Sequence, residues 1–222
     1  MEPGQQPNIS LNANLIHDAS SSLSLPPAPL LLMPEVFSQR ITDCRERFLR
    51  EDGRFTEQQI CSISGSSDGF DEMSSHIVSS ENLRETGLVR VTVVSPSDEG
   101  SEVRLPFQHF YPGYTKPLQP GDAEISRFLV APESRKGKAT NSLVEAAMRV
   151  CASANAERIF IDVVDGNLGV SPKSYERHFG FTFTGEVGYD ENYSCPTHLM
   201  VLDGGDKVAD ISARLTSRML RR

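Results

Sequence analysis

The sequence predicts an α/β or α+β domain built round a mixed sheet, and three observations predict it. Glu124 to Arg149 passes from an apolar strand through a short basic turn into a helix. Arg158 to Val164 (R-I-F-I-D-V-V) is a buried strand soon after that helix. Strands and helices alternate only in the second half of the chain; the first half offers one amphipathic helix and then strands.

Taken in order, residues 1–33 are rich in Ser, Asn, Pro and Gln. Their apolar patch, Leu25 to Leu32, is broken by Pro26, Pro27 and Pro29, so a disordered or extended tail is expected. Pro34 suits a first helical turn, and Phe37, Ile41, Cys44 and Phe48 then recur at helical spacing up to Gly53. Residues 62–70 are Ser- and Gly-rich and read as a loop. Ile77-Val78 reads as a short strand and Leu88 to Val94 as a stronger one, with Val89, Val91 and Val93 on one face and Arg90 and Thr92 on the other. Val103 to Phe107 reads as a further strand or an extended edge. Phe107 to Gly121 carries Phe110, Tyr111 and Tyr114 among three prolines, an aromatic loop that either lines an apolar pocket or pins itself to the core.

The Glu124 strand ends at Pro132, which cannot donate to a sheet ladder. Arg135, Lys136, Gly137 and Lys138 form the turn, and the helix starts near Ala139 or Asn141 with Leu143, Val144, Ala147 and Val150 on its inner face. A helix N-terminus there favours an anion, and the anion expected is a phosphate. Gly166 and Gly169 mark a loop, Pro172 opens a short helix carrying Tyr175 and ending at Gly180, and Phe181 and Phe183 begin a strand. His198 to Leu202 is the last strand, and Ile211, Leu215 and Met219 form the stripe of a terminal helix. The domain division expected is tail 1–33, domain 34–205 and amphipathic helix 206–222.

With 30 acidic against 22 basic side chains, the chain is a poor candidate for nucleic-acid binding. Its four cysteines lack paired spacing for zinc or a disulfide frame, and no metal is expected. No apolar run approaches the roughly 20 residues that span a bilayer. The absence of Lys and Arg before Arg40 argues against a secretory or transit leader, so a cytoplasmic protein is expected.

Val130, Pro132, Arg135 and Leu143 fall at the spacing of a strand ending in V-x-P-x-x-R with a leucine eight residues after the Arg. Further on, Y-E-R-H-F-G-F supplies a helix tyrosine, Tyr175, followed by Gly180-Phe181. In that order the signals resemble the GNAT superfamily of acyl-CoA N-acyltransferases. The run E-I-S-R-F, Glu124 to Phe128, is similar to a segment of acyl-homoserine-lactone (autoinducer) synthases and of long-chain N-acyl amino acid synthases, as is F-D-E-M-S-S-H-I-V, Phe70 to Val78. The resemblance implies a mostly antiparallel central sheet with a V-shaped splay between two central strands, flanked by helices. It implies an acyl thioester of phosphopantetheine as co-substrate, either acyl-CoA or acyl carrier protein, and a small-molecule amine as acceptor. Lys138 and Thr140 stand where ordinary GNAT turns carry glycines, which favours the single phosphate of a carrier-bound pantetheine.

Acyl transfer from sulfur to nitrogen needs a proton acceptor for the amine, N–H donors for the carbonyl oxygen and an acid for the thiolate. Glu124 is the candidate base, directly or through water, and Ser126 either holds a substrate carboxylate or caps a backbone group. Tyr175 is the candidate acid. Backbone N–H groups of Phe128, Leu129 and Val130 would meet the carbonyl, while Arg135, Lys136, Gly137, Lys138, Ala139 and Thr140 would hold the phosphate. Arg127, Phe110 and Tyr111 are candidates for the acceptor and acyl chain. Simple alternation sets Glu124, Ser126, Phe128 and Val130 on one strand face, with Ile125, Arg127 and Leu129 on the other, unless a bulge intervenes. Pairing of Glu124 and Arg127 with charges at the sheet edge is the structural alternative. The function expected is an N-acyltransferase of medium or long chains; an ordinary acetyl-CoA-dependent acetyltransferase and a GNAT-shaped binding module without catalysis are its rivals.

Overall fold

The computed structural model describes residues 30–32, 37–65, 69–95, 104–135, 138–164, 171–191 and 193–219. In chain order the elements are β1 (Leu30–Leu32), α1 (Phe37–Asp52), α2 (Glu57–Gly65), β2 (Ser74–Glu81), β3 (Arg84–Val93), β4 (Ala123–Val130), α3 (Lys138–Ser153), β5 (Arg158–Val164), α4 (Pro172–Phe179), β6 (Thr182–Asp190), β7 (Cys195–Asp203) and α5 (Gly205–Met219). The strands make one sheet in the order β1-β2-β3-β4-β5-β7-β6. Every neighbouring pair is antiparallel except β4–β5.

That parallel pair is short. Ala123, Glu124 and Ile125 pair with Ile159, Phe160 and Ile161, and there the pairing stops. Both strands run on, β4 to Val130 and β5 to Val164, so a V-shaped gap opens in the middle of the sheet. The splay the resemblance implied is present.

One sheet face is apolar. Val89, Val91, Val130, Ile159, Ile161, Met200 and Leu202 pack there against Leu143, Ala147 and Cys151 of α3 and Val208 and Ile211 of α5. Each such side chain contributes roughly 1.5–3 kcal/mol when fully buried. α5 thus docks on the main core. Gly87 lets α3 approach, since a Cβ there would lie 2.6 Å from Leu143 Cδ1 and 3.1 Å from the Leu129 carbonyl oxygen.

The opposite face carries two separate apolar patches. α1 lays Ile41, Cys44 and Phe48 over Val78 and Leu88, as its spacing predicts. Farther along, Val94, Leu105, Phe107, Tyr111, Phe160 and Leu199 form the second patch. Between them runs a band of buried polar side chains.

Three local expectations are corrected. The loop expected from residue 62 is helical as far as Gly65, in α2. Thr56 and Gln59 cap that helix reciprocally: the Thr56 N–H donates to Gln59 Oε1 at 2.9 Å and the Gln59 N–H to Thr56 Oγ1 at 3.3 Å. Of the further strand or extended edge expected from Val103 to Phe107, Leu105 is extended, but Pro106–His109 is a short 3-10 turn, because Pro106 has no N–H for a ladder; Val103 lies outside the described residues. The last strand begins at Cys195, three residues before His198. Of the tail, Leu30–Leu32 pairs with β2. Gly166 and Gly169 lie outside the described residues. All four cysteines are free thiols, and no helix among the described residues is long and apolar enough to cross a membrane.

Candidate active site

A bulge in β4 sets the site. Ser126 pairs with Arg90 and Leu129 with Leu88, so β4 carries one residue more than β3 over this interval. The extra residue is at Arg127, whose φ of 54° lies in the left-handed region. Simple alternation therefore fails here. Phe128 and Val130 join Ile125 on the α3 side, while Leu129 packs toward α1 and α2 beside Val78 and Ile60. Arg127 reaches α2 on that second side, where its Nη1 donates to the Ile63 carbonyl at 2.8 Å. Glu124, Ser126 and Arg127 consequently share one side of the sheet.

Glu124 is 2 % exposed, and its Oε2 accepts the Phe107 N–H at 2.7 Å. Burial pushes its carboxyl up to about 8, against the Phe107 N–H, Arg90 and the Ser126 hydroxyl, which all favour the charged form. Arg90 Nε donates to Ser126 Oγ at 3.1 Å, and Arg90 Nη1 donates to Asp71 at 2.9 Å. Arg45 on α1 completes the group with two bonds to the Asp71 carboxylate, at 2.8 and 3.0 Å. Burial would raise Asp71, but the two guanidiniums outweigh it and hold the carboxyl well below its usual range. His76 Nε2 lies 3.1 Å from the Asp71 carbonyl oxygen, and burial lowers that imidazole's pKa and favours its neutral form.

A second cluster lies on β5. The Tyr111 hydroxyl hydrogen-bonds Asp162 Oδ1, and Thr197 Oγ1 is 2.7 Å from the same phenol oxygen. Gly188 makes room: a Cβ there would fall 2.9 Å from the Tyr111 ring and 3.0 Å from the Phe110 carbonyl oxygen. Burial raises Asp162 to about 6. Tyr111 is thus a buried anchor rather than an open pocket wall, and Phe110 is 39 % exposed. Phe107, Tyr114 and Phe160 stack on one another with centroids 4.7–5.6 Å apart, so the aromatic loop fills its own hollow.

Tyr175 stands on the other side of the gap. Its ring packs against the α3–α5 core, edge-on to Phe181 at 6.1 Å, and its hydroxyl has no hydrogen-bond partner among the described residues. Burial raises the phenol's pKa. Glu124 and Tyr175 therefore approach the sheet from opposite faces.

At the turn, Arg135 is engaged by the protein itself. Its guanidinium pairs with Asp52 at the end of α1, and its Nε donates to the Val130 carbonyl at 3.2 Å. Thr140 Oγ1 donates to the Arg135 carbonyl at 3.2 Å, and Ala139 is half-buried at the start of α3. Lys138 opens α3, while Lys136 and Gly137 lie outside the described residues.

Sequence reasoning missed Arg45, Asp71 and Asp162. Arg45 and Asp71 stand apart in the chain and meet only in the fold. Asp162 did carry a signal, as the one acid inside an otherwise apolar strand.

No protein-family model and no curated protein matches the chain. Solved structures do. A CoA-dependent acyl-homoserine lactone synthase, BjaI, with SAM and isopentyl-CoA, is 20 % identical over 86 % of this chain and 90 % of its own, with a TM-score of 0.57. Another CoA-dependent acyl-homoserine lactone synthase, MesI, is 14 % identical over 83 % and 92 %, TM-score 0.53. A GNAT-family acetyltransferase from Desulfovibrio desulfuricans is 11 % identical over 79 % and 98 %, TM-score 0.51. The chain has the GNAT fold shared by these structures.

Proposed function

We propose that the protein is an N-acyltransferase that moves an acyl group from a phosphopantetheine thioester to the amino group of a small molecule such as an amino acid. The observation that carries this is the end of β4–β5 pairing at Ile125 and Ile161, beside the buried polar band. The gap suits an extended pantetheine arm. Backbone N–H groups from Phe128 to Val130 meet the thioester carbonyl, each worth about 3–4 kcal/mol in the transition state. The start of α3, with Arg135, Lys136 and Lys138, receives the phosphate. Arg135 leaves Asp52 to do so.

The acceptor lies on the polar side with Ser126, Arg127 and Glu124. Its nitrogen attacks the carbonyl carbon, the C–N bond forms, and the C–S bond breaks. Tyr175, from the opposite face, supplies a proton to the departing sulfur. Chain and carrier are separate questions. The similarity of E-I-S-R-F to the autoinducer and N-acyl amino acid synthases favours longer acyl groups and acyl carrier protein. The filled hollow of Phe107, Tyr114 and Phe160 favours a second reading, in which the acyl group is short and coenzyme A carries it.

Thiol release from acetyl-CoA, long-chain acyl-CoA and acyl carrier protein, with amino acids and SAM as acceptors, tests the proposal. Turnover of at least one donor is expected, with Tyr175→Phe slowing it. If Tyr175→Phe leaves the rate unchanged, the role given to that phenol is wrong; no turnover with any pair sinks the transferase.

A further inference from the structure

Asp162 sits one residue beyond the last β4–β5 pair, where the gap begins. It pairs with Leu199 on β7, and Phe160, two residues earlier, packs with Phe107 on the polar-band side. Asp162 therefore points to that same side, across the opening from Ser126. Its orientation is fixed by the Tyr111 hydroxyl, which Gly188 admits.

Its charge is not balanced. Asp71 has Arg45 and Arg90 as cationic partners and Asp122 has Arg158, whereas the donor that Asp162 has is the neutral Tyr111 hydroxyl. Among the described residues, no cation pairs with Asp162. The ionisable groups near it are Tyr111 from the aromatic loop, Glu124 on β4, Asp190 on β6, His198 on β7 and Tyr193 after β6. Four of those five groups are phenols or acids of neighbouring segments, and His198 is the one imidazole among them. A partly desolvated carboxylate held rigid at the mouth of a gap, without a counter-ion, is a costly arrangement unless a cation arrives.

We propose that Asp162 receives the acceptor as an ammonium ion and is the group that takes its proton, so that the substrate class is cationic primary amines. The inference rests on the transferase reading above. The first ammonium proton passes to Asp162, which later gives it to water. The freed lone pair attacks the thioester carbon, forming C–N. The second nitrogen proton is lost as the C–S bond breaks, replacing the one Tyr175 gives to sulfur. The third remains as the amide N–H. At neutral pH Asp162 is ionised and ready for this, whereas Glu124 still holds its own proton.

The experiment is the pH dependence of kcat/KM for thiol release, with the acyl-CoA and amino-acid or SAM pair that the wild type turns over best. The wild type should show an acidic limb near 6. Asp162→Asn should lose that limb and fall by about a hundredfold or more. Tyr111→Phe, which keeps the carboxylate but removes its donor, should move the limb to higher pH. That variant decides the matter if Asp162→Asn does not fold. Glu124→Gln should retain the limb. A limb that persists in Asp162→Asn, that stays put in Tyr111→Phe, or that vanishes in Glu124→Gln overturns the assignment to Asp162 alone. A wild type that releases no thiol from any donor overturns the transferase reading itself.

Discussion

Arg90 and Ser126 face each other across the β3–β4 pair, with Nε 3.1 Å from Oγ. Through that contact the charge group of Arg45, Asp71 and Arg90 is joined to β4: Asp71 binds Arg90, and Arg90 binds Ser126, which shares a side of β4 with Glu124. A line of polar groups thus runs from Asp71, just before β2, across β3 to β4 and ends at the gap.

Removing the acid from that line should be costly. Asp71→Ala leaves Arg45 and Arg90, with side chains 1 % and 2 % exposed, without their shared carboxylate. Because Asp71 itself is 25 % exposed, a loss of about 3 kcal/mol is expected, at the low end for a broken buried pair. Urea denaturation measures it. A loss under about 1 kcal/mol would mean that solvent already serves these guanidiniums.

Glu124 makes stability depend on pH with a defined sign. Its folded value, about 8, lies above the ordinary 4.5, so the folded chain keeps a proton that the unfolded chain gives up in that window. Stability from this group is full below about pH 4.5 and is lost as pH rises through 8. Glu124→Gln should flatten the decline between pH 5 and pH 8 in denaturation series. An unchanged slope would show that the carboxyl is ionised at neutral pH.

Gly188→Ala should displace Tyr111. The new methyl would stand 2.9 Å from the ring and 3.0 Å from a backbone oxygen that cannot swing aside. A destabilisation of about 1–3 kcal/mol is expected, together with the raised acidic limb proposed for Tyr111→Phe. Wild-type stability in this variant would mean that the β6 edge yields freely.

Gly87→Ala tests the other face. Its Cβ would meet Leu143 Cδ1 at 2.6 Å and the Leu129 carbonyl oxygen at 3.1 Å, so the buried Leu143 side chain must turn or α3 must back away from the sheet. A similar loss of about 1–3 kcal/mol is expected, with a raised KM for the thioester donor, because the start of α3 moves with Leu143. Loss of stability with an unchanged KM would detach that helix start from donor binding.

The sheet and its flanking helices were legible because they rest on periodicity. Phe37, Ile41, Cys44 and Phe48 announce α1, and the run from Ile125 to Val130 announces β4. The bulge was not legible. An arginine at positive φ leaves no compositional mark, and its effect is to move Phe128 and Val130 to the face opposite Ser126. Arg45 and Asp71 stand 26 residues apart in the chain, and only the fold brings them together with Arg90. The cap of α2 was legible in principle, since Thr56 and Gln59 stand at the capping-box spacing, but the serines after Cys61 masked it.

Three rungs are all that stitch the left half of the sheet to the right half through β4 and β5. Elsewhere the joint depends on helices laid across it and on the aromatic loop tucked beneath. An extended ligand lying in the opening would act as a surrogate strand, binding both halves along their bare edges. Occupancy should therefore tighten the whole molecule, raising its melting temperature with ligand concentration, and the donor would be part of the architecture as well as a reagent.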